Sequence, residues 1–142
     1  MKATVPYNID YCEIVEKELQ IKFAGNEMRL NGWGDADNHV YLSDNVLVLA
    51  EIENGQKHPQ ANVLKLWPYL EEEKTVRIIL IHWLTRFSDP KISPNRKKLC
   101  EFTGNKLETL FPGRFKYILL KDQQYQEELK QAKKFIKELT NQ

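Results

Sequence analysis

The chain has 142 residues, enough for a single domain with its own hydrophobic core and too few for several. A composition of 42% hydrophobic and 29% charged residues excludes a low-complexity or disordered chain, and a formal net charge of +1 excludes a coat protein that binds nucleic acid by bulk positive charge. Two cysteines, Cys12 and Cys100, make no disulfide framework and no metal-ligand spacing; the longest apolar run, residues 78–84, is too short for a bilayer, so a cytoplasmic protein with no membrane partner is expected.

In chain order, the first element is a helix over residues 9–23. Asp10 is placed to cap it, and Cys12, Val15, Leu19 and Phe23 recur at helical spacing. Residues 28–30 predict a short strand, ended by Asn31 and Gly32, with Gly32 and Gly34 marking a turn before Asp35. Residues 39–42 predict a second strand, and Asp44 and Asn45 a tight connection. The run VLVLAEIE, residues 46–53, is the clearest strand, apolar on both faces in its front half as a central strand is. Pro59 suits the first turn of a helix carrying Val63, Leu64 and Trp67 on one face, which Pro68 should kink or stop near Trp67. Residues 75–84 predict a buried strand, residues 94–110 a long helix open to interruption at Gly104, and residues 115–120 the last strand. The final helix, about 122–140, shows a regular stripe of Tyr125, Leu129, Ala132, Ile136 and Leu139. Short links make the early strands antiparallel and helical links make the later ones crossover-connected, which gives an α/β domain with a mixed sheet packed by helices.

The segment with chemistry in it is residues 32–56. Glu51 and Glu53 share one face of their strand, about 6.5–7 Å apart. Counting back through a hairpin turn near Asp44 sets residue 37 opposite residue 52, within one or two positions, so Asp37 falls beside both glutamates. Carboxylates gathered this way repel one another unless a cation joins them, and oxygen ligands favour a hard ion such as Mg²⁺ or Mn²⁺. The competing readings are that Glu51 and Glu53 mark an exposed strand end, that Asp35 and Asp37 are turn residues, or that these acids pair with Lys57 or Arg77.

This pattern resembles the PD-(D/E)XK nuclease superfamily, whose restriction-endonuclease-like core runs αβββαβ. Its Asp corresponds to Asp37 and its acidic-x-Lys triplet to Glu51-Ile52-Glu53, fourteen residues on. The topology covers most of the chain, the motif a handful of residues. Two positions depart: Ala36 stands where the family often has Pro, and Glu53 stands where it has Lys. The resemblance implies a Mg²⁺-dependent DNA endonuclease with no organic cofactor, DNA as partner, and often a homodimer. It implies Asp37 and Glu51 as metal ligands with Asp35 nearby, Glu53 or a displaced ammonium from Lys57 or Lys65 orienting the attacking water, and Gln56 in a place where exonuclease-like members carry Gln. Many members add a Glu from the first helix; Glu16, at the edge of the apolar arc, is the nearest acid, with a solvated flank as its other reading.

Other residues read more simply. His82 beside Trp83 is a core histidine held by hydrogen bonds, and His58 is a cap or surface residue, or a substrate contact at the start of a helix. Trp67 and Trp83 are core; Trp33 is either core or an aromatic able to stack on a base. The basic stretch 86–98 and the lysines at 130, 133, 134 and 137 are polar faces or phosphate contacts. Two rival functions remain: a non-catalytic interaction or DNA-binding module on the same fold, and a hydrolase using Glu51 and Glu53 as an acid/base pair.

Overall fold

The computed structural model describes residues 10–43, 45–55 and 58–141. Helix α1 (Tyr11–Leu19) starts on Asp10, whose carboxylate accepts the Cys12 N–H at 2.8 Å, and ends at Gln20 in a left-handed conformation. It is therefore shorter than the periodicity predicts; Phe23 reaches the core from the extended segment that follows. Strands β1 (Met28–Arg29) and β2 (Asp35–Ala36) form a small antiparallel ribbon. Asn31, Gly32 and Gly34 all have positive φ in the turn between them.

The main sheet has four strands in the order β3 (Asn38–Ser43), β4 (Val46–Glu53), β5 (Arg77–Leu84), β6 (Phe115–Lys121). β3 runs antiparallel to β4, whereas β5 and β6 follow β4 in parallel. The two parallel links pass through helices, as crossovers must. The first carries α2 (Ala61–Leu64) and α3 (Leu66–Glu72), the second α4 (Pro94–Leu110); α5 (Tyr125–Thr140) closes the chain. Both central strands are buried on both faces, and apart from Glu51, Glu53 and His82 toward their C-terminal ends they are almost wholly apolar.

One layer packs α1 and α5 on Val46, Val48, Ala50, Ile79, Ile81 and Trp83. The five predicted stripe residues of α5 are all buried there. The other layer packs α2, α3 and α4 on Leu47, Leu49, Ile78, Leu80 and Tyr117. At the strand ends, buried Asp122 ties the first layer together. It accepts from Tyr11 Oη at 2.9 Å, Trp83 Nε1 at 3.0 Å and Arg86 Nε at 2.8 Å, so a buried charge has three donors.

Two sequence expectations change. The helix after Pro59 breaks at Lys65, before Pro68, and restarts; Pro68 sits in the first turn of α3, where its missing N–H leaves no bond unmade. The buried face is Val63, Leu66, Tyr69 and Leu70, while Leu64 is exposed. In α4 there is no interruption at Gly104, and Cys100, Gly104 and Leu107 face inward while Leu99, Phe102 and Leu110 stay exposed. Gly104 lets α4 lie on β6: a Cβ there would stand 2.3 Å from the Tyr117 ring. Gly104→Ala should accordingly cost about 1–3 kcal/mol by overpacking, despite the higher helix propensity of Ala, and urea unfolding measures it.

Candidate functional site

On β4 the odd-numbered side chains face α2–α4, so the apolar pair Leu47 and Leu49 is followed on the same face by Glu51 and Glu53. Both glutamates are buried, at 3% and 0% exposure, which rules out the reading of a solvated strand end. Each needs a partner, and each has a different one.

Glu51 pairs with Lys65. The Lys65 Nζ lies 2.8 Å from Glu51 Oε1, 2.6 Å from the Asp35 carbonyl oxygen and 2.9 Å from Asn62 Oδ1, so all three of its protons are used. The break between α2 and α3 puts Lys65 at the joint of the two helices, from which its side chain reaches under the ribbon to the sheet. Burial pushes the Glu51 carboxyl up to about 7, against the opposing pull of the Lys65 ammonium; the charges of Asp37 and Glu53 add to the rise.

Glu53 is held by an imidazole and an amide instead. His82 Nε2 stands 2.9 Å from Glu53 Oε1, and Asn62 Nδ2 donates to the same oxygen. The other ring nitrogen, His82 Nδ1, faces the Tyr117 hydroxyl at 2.7 Å. Burial pushes the Glu53 carboxyl up, but these hydrogen bonds, together with the electrostatic pull of His82 and Lys65, outweigh it and hold it below the usual carboxylate range. Its second oxygen, Oε2, is buried and finds no hydrogen-bond partner among the described residues. The backbone beyond it is fixed too, because Thr85 Oγ1 donates to the Glu53 carbonyl at 2.8 Å.

Asp37 occupies the bend between β2 and β3 and is exposed. The β3–β4 ladder pairs Asn38 with Ala50, so one further step sets Asp37 level with Glu51, one residue from the expected register. Asp37 also borders a cavity of about 440 Å³ with Asp10, Cys12, Asn38, Ile52 and Asn54, at the N-terminal end of α1. Asp35 contributes its carbonyl to Lys65 and leaves its carboxylate exposed. Glu16 is turned elsewhere: it accepts the Phe23 N–H at 2.9 Å and lies 3.8 Å from Lys22 Nζ, holding the loop after α1. Gln56 and Lys57 lie outside the described residues. The expected convergence of Asp35, Asp37, Glu51 and Glu16 on one point is not found. Among the described residues no three His, Cys, Asp or Glu side chains are grouped to hold an ion.

Of the two lysines, Lys65 is brought to the acids. His82 and Trp83 read correctly as a hydrogen-bonded and an apolar core residue, but His82 also belongs to the site, which its sequence position does not announce. Asn62 and Tyr117 were not anticipated. The signal for Tyr117 was present in the alternation of β6, which puts it on the same face as His82 and Glu53. Trp33 is half exposed and is not a core residue. No described helix is long and apolar enough to cross a membrane. Comparison with family models, with curated proteins and with solved structures finds no match to this chain.

The raised Glu51 carboxyl has a thermodynamic consequence. Between about pH 4.5 and 7 the folded chain keeps a proton that the unfolded chain has lost, so stability falls as pH rises through that window. In metal-free buffer, Glu51→Gln should remove a slope worth on the order of 2–3 kcal/mol. Chemical denaturation of both proteins at pH 5 and pH 8 reads the difference.

Proposed function

We propose that this chain is a metal-dependent DNA nuclease on a restriction-endonuclease-like core, with Lys65 taking the part of the motif lysine that Glu53 displaces. The observation that carries the reading is the Lys65–Glu51 contact at 2.8 Å, on the face of the strand where the triplet's third residue points. An ammonium supplied from the following helix stands beside the carboxylate with which the motif would pair it. The element order is close to an αβββαβ core, with two strands rather than three in the main sheet before the crossover. α1 precedes β3 and β4, the α2–α3 crossover leads to β5, and β3 is antiparallel while β5 is parallel to β4. The β1–β2 ribbon is a separate two-stranded sheet before β3.

The donor set fits Mg²⁺ or Mn²⁺. Magnesium commonly takes only one or two carboxylates from the protein and completes its shell with water and substrate phosphate, so a three-acid cage is not required. Asp37 and Glu51 are the two carboxylates that would hold it, with the Ile52 carbonyl as a further ligand. The unpartnered Glu53 Oε2 favours a cation here. When bound, the ion acidifies a water and neutralises charge building on the phosphate.

The chain's own groups do the positioning. Lys65, anchored at three points, holds its charge where a scissile phosphate approaches Glu51. Glu53, fixed by His82 and Asn62, keeps a second carboxylate oxygen without a hydrogen-bond partner, the group that would orient the attacking water. Glu53 and Glu51 do not read as an acid/base pair for another hydrolysis, because Lys65 and His82 each occupy one of them.

One observation favours a non-catalytic module instead. Lys65 already neutralises Glu51 without any added cation. Thermal shift separates the two readings: Mn²⁺ should stabilise the nuclease, and Asp37→Ala should abolish the shift. In the cleavage assay, single-stranded, branched and plasmid DNA are incubated with Mg²⁺ or Mn²⁺. Asp37→Ala, Glu51→Ala and Lys65→Met should each lose about 100-fold or more in rate. Equal cleavage by wild type and all three variants would assign the activity to a contaminant and defeat the proposal.

A further inference from the structure

We infer that the groove between Trp33 and Trp67 receives an unpaired base of single-stranded DNA, next to the phosphate handled at Glu51 and Lys65. This rests on the nuclease reading and names the form of DNA that the site takes. The groove measures about 420 Å³ and is lined by Trp33, Ala61, Leu64, Lys65, Trp67 and Pro68. Its wall includes Lys65, whose far end is the ammonium on Glu51. A ligand in the groove is thus separated from the acids by the length of one lysine side chain.

Trp33 is half exposed yet held in place. The turn that carries it closes with Trp33 N–H on the Leu30 carbonyl at 3.0 Å and Leu30 N–H on the Gly34 carbonyl at 2.9 Å. Its indole Nε1 donates to Glu72 Oε1 at 2.9 Å, and Asn31 Nδ2 donates to Glu73 Oε1 at 3.0 Å. Gly34 packs so tightly on Lys65 that a Cβ there would lie 3.2 Å from its Cδ. A large aromatic, fixed by hydrogen bonds and left half open, loses no rotamer freedom when a flat ligand covers it.

Charge selects the ligand. Trp33 and Trp67 direct their N–H groups to Glu72 and Glu71, so the outer rim of the groove is acidic. A phosphate backbone laid over that rim is repelled, whereas a neutral, planar base is not. On the other side of the acids a cation is at hand: Lys91 Nζ lies 3.9 Å from the Cβ position of Gly55, just past Glu53. A strand therefore fits with one base in the groove and its phosphates running by Lys65 toward Lys91. In duplex DNA the bases are stacked inside and cannot enter.

Fluorescence anisotropy in EDTA, with a labelled single-stranded oligonucleotide and a hairpin duplex at equal salt, tests this without any cleavage. Wild type should bind the single strand more tightly than the duplex. Trp33→Ala should weaken single-strand binding about tenfold, Trp33→Phe should restore most of it, and duplex binding should not move. Thermal melts confirm that both variants are folded. No single-strand binding, no effect of Trp33→Ala, equal weakening on duplex, or failure of Trp33→Phe to rescue would each overturn the inference. Asp37→Ala distinguishes the two proposals. Asp37-dependent cleavage without a Trp33 effect defeats the base groove alone, and Trp33-dependent binding without Asp37-dependent cleavage defeats the nuclease alone.

Discussion

Two carboxylates buried on the same face of one central strand impose the constraint to which the rest of this structure answers. Burying an unpaired carboxylate costs several kcal/mol, more than one side-chain contact returns. The chain meets that cost differently at each position: an ammonium from a helix joint for Glu51, and an imidazole and an amide for Glu53. The break before α3, the close approach of Gly34, and the ribbon that offers the Asp35 carbonyl all serve to bring Lys65 to its place. The result is a site whose parts come from β2, β4, the α2–α3 joint, β5 and β6, with little of its geometry left to loops.

The strand from 46 to 53 was legible to the residue, because a β-branched run ending in two acids has few alternatives. The α5 stripe was equally plain, since helical periodicity over sixteen residues admits one buried face. The pairing of β3 with β4 followed from the short connection, and its register lies one residue from the central expectation, within the expected margin of one or two positions. The bulge between Tyr41 and Ser43 takes up that residue, and no side-chain pattern marks it.

The helical regions show what periodicity cannot supply. Leu64 and Trp67 fall on one face of an uninterrupted helix with Val63, but the chain bends at Lys65 and that face is divided. In α4 the sequence has apolar residues on both sides, and which side is buried depends on Gly104 meeting Tyr117, a contact between positions thirteen residues apart on different elements. The acids of the site were readable as a group, whereas their partners were not. His82, Asn62 and Tyr117 are ordinary residues in ordinary elements until the two crossovers bring strands β4, β5 and β6 side by side. Glu16 failed for the opposite reason: it lies on the expected helix, but α1 presents its N-terminal end to Asp37 and its C-terminal end to Phe23.

The line from Tyr117 through His82 to Glu53 also acts on the sheet itself. Parallel strands flanked by uniform Val, Leu and Ile can slide along each other with small changes in packing, because one aliphatic residue substitutes for the next. Here three polar side chains from three adjacent strands meet in one alignment. A slip of one position on β5 would turn the imidazole to the opposite layer, among Ile79, Ile81 and the residues of α1 and α5, and leave the carboxylate and phenol without it. The polar trio thus penalises every misaligned sheet far more than the native one, and gives an otherwise greasy core a single permitted stagger.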